Sequence, residues 1–229
     1  MTNDSHPSGK YPINDNLSLL HRAAYEGHLE YAALLLKQGH KINSTDIHGC
    51  TPLHYAAIGG HNNLVELLLD KESNINAKEG KGFTPLPLAA ICGHPKIAEM
   101  LIRRGAGIEC RNNEEYTALH CAVVHGNEAV VKVLLANNAH ALAKINHGAT
   151  PLHLAEALGF YRIRNLLMGV PSIASQAGNE KLQEIFLTAL FINAVERDDI
   201  HEIHSFLKLG HDLHTLYCPG GNTVLHHAA

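Results

Sequence analysis

Short groups of apolar and small residues recur along the first 170 positions in one order. A hydroxyl residue is followed by Pro, Ala or Leu, then Leu, then in most copies His, and two positions later by small residues. Thr51-Pro52-Leu53-His54-Tyr55-Ala56-Ala57 is one such run, and Thr84-Pro85-Leu86-Pro87-Leu88-Ala89-Ala90 is the next. Thr117-Ala118-Leu119-His120-Cys121-Ala122-Val123 and Thr150-Pro151-Leu152-His153-Leu154-Ala155-Glu156 repeat it, and Ser18-Leu19-Leu20-His21-Arg22-Ala23-Ala24 precedes them. The Leu and Ala positions share one side of a helix, and the small Ala lets a second helix come close. The Thr or Ser hydroxyl can accept from free amides of the first turn, and Pro52, Pro85 and Pro151 sit where a missing N–H costs nothing. Gly27, Gly60, Gly93 and Gly126 predict the helix end, where a left-handed residue is needed. A second helix follows, with Leu64, Val65, Leu67, Leu68 and Leu69 at helical spacing in the second unit. Each unit closes in a polar turn such as Gly39-His40-Lys41-Ile42-Asn43 or Ser73-Asn74-Ile75-Asn76. The pattern predicts helix, turn, helix and extended loop, five times over.

Thr51, Thr84, Thr117 and Thr150 stand 33 residues apart, and Ser18 lies 33 before Thr51. A fixed period of this size marks a solenoid. With its T-P-L-H-x-A phrase the chain resembles the ankyrin-repeat family over residues 14–168. The resemblance implies an all-α solenoid of stacked helix-turn-helix units with projecting finger loops. It also implies a concave face that binds other proteins and has no catalysis of its own. Three residues depart from the family phrase: Pro87 replaces the motif His, Glu156 the second Ala, and Asn112 the Asp that opens a finger. Pro87 is expected to remove a helical hydrogen bond and distort its helix.

The period divides the chain into an N-terminal tail (1–13), five regular repeats (14–168), a break running into an extended helix (169–188), and a degenerate end (189–229). Gly169-Val170-Pro171 stands where a repeat-closing turn belongs, so the fifth repeat is expected to lose its finger. Residues 171–178 read as a connector of small and breaker residues. Asn179 can cap a helix carrying Leu182, Ile185, Phe186, Ala189, Leu190 and Ile192, which opens a sixth repeat. A seventh begins at Gly221 and stops at Ala228-Ala229, the pair that should meet a second helix. Terminal repeats need a polar outer face. The expectation is therefore a piece of a longer protein, and the rival function is the targeting arm of an enzyme or effector whose catalytic domain lies beyond residue 229.

Composition narrows the function classes. Net charge is −4, with 17% charged and 45% apolar residues, so no basic footprint for nucleic acid is present. No apolar run reaches the roughly 18 residues of a membrane span. Five cysteines without a C-x-x-C pair suit a reducing compartment. These features predict a cytoplasmic chain, monomeric alone, with another protein as partner and no cofactor or metal. If it is a secreted bacterial effector, the compartment is the host cytosol.

In the resemblance, the freely varied positions are the finger tips and the residues after the Ala pair. These map to Ile47, His48, Cys50 and Ile58, then to Lys81, Phe83 and Ile91 with Gly80 and Cys92. The fourth repeat offers Glu114, Tyr116, Val124 and His125 with Asn113, and the fifth His147 and Leu158 with Asn146 and Ala149. The first repeat adds Asn14, Asp15, Leu17, Tyr25 and Glu26. Clustered apolar and aromatic residues on one face mark interaction sites, and Phe83 and Tyr116 are of the type that anchors interfaces. Glu114 and Glu115, opposite Lys81, could steer a basic segment. Asn43 and Asn76 match positions hydroxylated by a cytosolic oxygenase in the family.

Nineteen histidines raise the question of a metal. His21, His54, His120, His153 and His226 are motif histidines, which in the family bridge neighbouring repeats, and His28, His61 and His94 follow the turn glycine. His201, His204, His211 and His214 remain, but the first two map to a helix and the others to a loop, a poor match for a four-ligand zinc site. Cys121 and His125, four apart on one helix, form a candidate nucleophile pair but lack an orienting third group and an oxyanion hole, and Cys92 sits a repeat away from His125, roughly 10 Å, too far to bond it.

Overall fold

The computed structural model describes residues 18–174. The chain divides into two compact units, residues 1–140 and 141–229. The described part of the first holds four helix pairs: α1 (Leu19–Glu26) with α2 (Leu29–Lys37), α3 (Pro52–Gly59) with α4 (Asn62–Asp70), α5 (Pro85–Ile91) with α6 (Pro95–Arg103), and α7 (Ala118–Val124) with α8 (Glu128–Ala136). The second holds α9 (Pro151–Ala157), α10 (Tyr161–Met168) and the short α11 (Pro171–Ala174). No strand occurs among the described residues.

Within the first unit the inner helices pack in sequence, α1 on α3, α3 on α5 and α5 on α7. The outer helices follow the same order, with α2 on α4, α4 on α6 and α6 on α8. The small pairs Ala23-Ala24, Ala56-Ala57 and Ala89-Ala90 are at most 1% exposed, which sets the close approach of neighbouring helices. Leu20, Leu53, Leu86 and Leu119 form a row at most 1% exposed. Burying each such side chain contributes about 1.5–3 kcal/mol. The outer helices add Leu35, Leu68, Leu101 and Leu134.

Gly27, Gly60, Gly93 and Gly126 all have φ between 68° and 80°, as the helix-end pattern predicts. Gly60 is required twice over, because a Cβ there would lie 2.7 Å from Cε1 of His94.

Pro87 does not distort α5. It is the third residue of that helix, and the first four amides of any α-helix lack an i−4 acceptor, so the proline removes only the short cap bond that His54 N–H makes to Thr51 O at 3.0 Å in the second repeat. Lost with it is the motif imidazole. Elsewhere it holds the cap: Thr51 N–H donates to His54 Nδ1 at 3.0 Å, and Thr51 Oγ1 lies 2.8 Å from the same nitrogen. Thr117–His120 and Thr150–His153 repeat this geometry. In the third repeat Thr84 Oγ1 is buried without a hydrogen-bond partner.

Two further departures are absorbed in the second unit and in the fourth finger. Glu156 accepts from Arg164 Nε at 3.1 Å, tying α9 to α10. Asn112 Oδ1 accepts from Glu114 N–H at 3.0 Å and Tyr116 N–H at 2.8 Å, the work an Asp side chain does in the second finger. Residues 171–174 are not loop. Pro171 opens a helical turn, its fixed φ suiting the first position, and Ile173 is 2% exposed. The expected sixth and seventh repeats, the tail at 1–13, and His201, His204, His211, His214 and His226 lie outside the described residues.

Candidate functional site

The three finger tips of the first unit are built from one recipe. At the base, Asp46 Oδ1 accepts from the amides of His48 at 2.9 Å and Cys50 at 2.8 Å. Glu79 Oε1 accepts from Lys81 at 2.9 Å and Phe83 at 3.0 Å, and Asn112 serves the fourth repeat. The backbone closes each tip, with Asp46 N–H to Cys50 O and Glu79 N–H to Phe83 O both at 3.0 Å. Tyr55 OH donates to Asp46 Oδ2 at 2.7 Å, fastening the second finger to α3. Burial, and then that carboxylate, push the Tyr55 phenol pKa upward.

The tips then hold one another. Gly80 N–H donates to His48 O at 2.7 Å, and Asn113 N–H donates to Lys81 O at 2.9 Å. Asn113 Nδ2 adds a bond to Gly80 O at 3.1 Å. His48, Lys81 and Glu114 thereby stand side by side, all exposed. Ile47 is 70% exposed at one end of the row.

Phe83, Tyr116, Ile91 and Val124 are half-buried, His125 is exposed, and Tyr116 packs edge-on against the His120 ring at 5.8 Å. Within the second unit His147 is exposed and Leu158 half-buried. Cys50 and Ile58 are corrections: they are 2% and 3% exposed and offer nothing to a partner. Cys50 occupies the finger base, where its amide binds Asp46 and its carbonyl accepts from His21 Nε2 at 3.0 Å. A small side chain there sinks inward, as does Ala149 at 0%, while Phe83 and Tyr116 are too large to follow. Asn14, Asp15 and Leu17 lie outside the described residues. Glu115 is engaged by Arg111 at 2.7 Å, which leaves Glu114 as the finger's outward acid.

The repeats are stitched at three levels. His21 Nε2 lies 3.0 Å from both Ser44 O and Cys50 O, and His54 Nε2 lies 3.2 Å from Phe83 O. Carbonyls only accept, so each ring carries its proton on Nε2 and is neutral, with Nδ1 taking the cap hydroxyl. Desolvation accordingly lowers the pKa of His21 and of His54, with backbone carbonyls pulling the other way. His153 is lowered for the same first reason.

The residues after the turn glycines form the second level, which the sequence reading missed. His61 Nε2 donates to Tyr25 O at 2.8 Å, His94 Nε2 to Ile58 O at 3.0 Å, and Asn127 Nδ2 to Ala90 O and Ile91 O at 2.6 and 2.9 Å. Their recurrence at 33-residue steps was the available signal. On the third level Asn43 Oδ1 accepts from Asn74 N–H and Asn76 Oδ1 from Gly107 N–H, both at 2.8 Å. Glu109 does the same for His140 N–H at 2.7 Å. Both asparagines are exposed while their carbonyls are bonded.

Nucleophilic chemistry finds no support here. His125 Nδ1 donates to the Cys121 carbonyl at 2.9 Å rather than meeting its thiol. Burial pushes the Cys121 thiol up to about 12 and the Cys92 thiol to about 11, the reverse of an activated thiolate. Among the described residues no group of three or more His, Cys, Asp or Glu side chains is arranged to hold a metal ion. No helix among them is long and apolar enough to cross a membrane.

Stacked helix pairs with fingers stitched edge to edge define a helical repeat scaffold. The family model described as Ankyrin repeats (3 copies) matches residues 20–112 and 104–176. The chain belongs to the ankyrin-repeat family, whose members are generally protein–protein interaction modules. A comparison with curated proteins finds no match.

Proposed function

We propose that residues 18–140 recognise another protein through the finger row and the adjoining ends of α5 and α7. The observation that carries this reading is the pair of bonds from Gly80 N–H to His48 O and from Asn113 N–H to Lys81 O. They join three loops into one strip, so a partner meets a surface already ordered and forfeits less entropy on binding. On that strip Ile47 is the most exposed large apolar side chain, and Phe83 and Tyr116 are partly exposed. Apolar anchors beside single charges of mixed sign suit a protein surface, whereas a polyanion calls for a run of one sign. The module acts by binding alone, with the Cys50, Cys92 and Cys121 thiols held protonated by burial.

The test compares the full chain with an Ile47→Asp/Phe83→Ala variant and with Asn63→Ala, an exposed change on α4. Pull-down followed by calorimetry on the captured protein is the readout. Loss of about 1–3 kcal/mol of affinity in the finger variant alone supports the strip. Equal capture by all three, with the folds intact, overturns it.

A further inference from the structure

Phe83 and Tyr116 hold the same place in successive fingers, and both rings are partly exposed. Two residues before each ring stands an exposed charge, Lys81 before Phe83 and Glu114 before Tyr116. The strip therefore carries two rungs, each an aromatic ring with one charge, and the sign reverses from the first to the second. The rings precede α5 and α7, which stack directly, and stacked helices stand ~8–10 Å apart. One rung back the ring gives way to Cys50, which is 2% exposed, so the pair of rings starts at Phe83.

A bound segment has to return to the same face at that interval. An extended β-strand returns every ~6.6 Å and falls out of step after one rung. An α-helix returns after seven residues, ~10.5 Å, but its i+3 and i+4 residues then sit midway between the rungs. Midway lies a polar seam, where Asn113 donates from its backbone to Lys81 O at 2.9 Å and from Nδ2 to Gly80 O at 3.1 Å. The apolar stripe of an amphipathic helix would land on it. A polyproline II helix returns every three residues, ~9.3 Å, with its other two edges turned away from the seam. Proline rings dock on aromatic-lined surfaces, and a helix of this kind is stiff before it binds, so little entropy is lost.

We propose that the finger row takes a proline-rich segment of its protein partner in polyproline II form. This rests on the finger row being the binding surface and names what lies on it. Prolines three residues apart pack on Phe83 and Tyr116. On the adjoining edge an acid and a base, also three apart, pair with Lys81 and Glu114. With the charges fixed next to the prolines, that edge meets the finger tips in one chain direction only, which sets the order of acid and base.

Labelled synthetic peptides with the full chain test this by fluorescence anisotropy, at up to about 500 µM protein. The cores Pro-Asp-Ala-Pro-Arg and Pro-Arg-Ala-Pro-Asp carry the two orders, and one should bind about tenfold more tightly than the other. An extra Ala between the halves of the better peptide should remove that advantage. The exchange K81E/E114K should invert the preference, and Phe83→Ala should weaken both peptides about tenfold. Circular dichroism checks the fold of each variant. Equal binding of the two orders overturns the proposal. So does a preference that the charge exchange leaves in place, full affinity of the lengthened peptide, or affinity unchanged by Phe83→Ala. Absence of binding by every peptide overturns it too. If Ile47→Asp/Phe83→Ala then still loses a captured partner, the strip stands and only its polyproline occupant falls.

Discussion

Thr84 and Pro87 occupy the positions at which Thr51 and His54 hold each other at 2.8 Å, and the exchange of imidazole for a pyrrolidine ring leaves Thr84 Oγ1 buried and unpaired. The same exchange removes a stitch between repeats, since His54 Nε2 reaches the Phe83 carbonyl and Pro87 has nothing to send to the Tyr116 carbonyl. Pro87→His should therefore satisfy the hydroxyl and add the missing bond. A gain of about 1–2 kcal/mol is expected, read as a higher urea midpoint at unchanged slope. An unchanged or lower midpoint would mean that the pocket has closed around the proline.

Asp46 anchors more of the second finger than any other side chain, through two amides and the Tyr55 hydroxyl. Asp46→Ala leaves all three donors without their acceptor and should cost about 1–3 kcal/mol. Asp46→Asn should cost far less, because Asn112 already holds the fourth finger by the same two amide bonds. Chemical denaturation of the two variants side by side measures the difference. Equal costs would refute the reading of the side-chain oxygen as the organiser.

The helix starts, the turn glycines and the period were legible because each depends on a local backbone requirement. The phrase beginning at Thr51 states its own capping and its own N1 proline. Burial at Cys50 and Ile58 was not legible, because the period names a position without saying how deep a given side chain sinks there. Pro87 differs for another reason: the phrase places it inside the helix, whereas it precedes the first amide with an i−4 acceptor. His61, His94 and Asn127 bind carbonyls 36 or 37 residues away, a relation that only the stacking of neighbouring helices creates. Asn112 looked like a departure because its charge differs from Asp, yet the finger uses only an acceptor oxygen.

Glu72 has φ 62° in the turn after α4, where Gly39 has 89° and Gly105 has 92° at the matching steps. A left-handed conformation costs a residue with a Cβ roughly 1–2 kcal/mol, part of which glycine returns through the greater freedom of the unfolded chain. Glu72→Gly should therefore stabilise by about 0.5–1 kcal/mol, and Gly105→Ala should destabilise by a similar amount. Nothing lies within 4 Å of a Cβ built at Gly105, so its cost would come from the backbone alone. Thermal melts of the two single variants should move in opposite directions, and a shared direction would sink the argument.

His21 and His54 are buried, neutral and bonded to carbonyls through Nε2. Their folded pKa values lie below the ordinary 6.5 because burial disfavours the cation. Above pH 6.5 both folded and unfolded chains hold these rings neutral, so stability is full and independent of their titration. As pH falls below 6.5 the unfolded chain takes up protons first, and stability drops until the folded pKa is reached. Urea midpoints should accordingly be level between pH 8 and 7 and decline steadily toward pH 5. His54→Gln should have a lower midpoint at pH 7.5 and a shallower decline below 6.5, since it removes one of the titrating rings. A decline as steep as in the parent chain would assign the acid sensitivity to other groups.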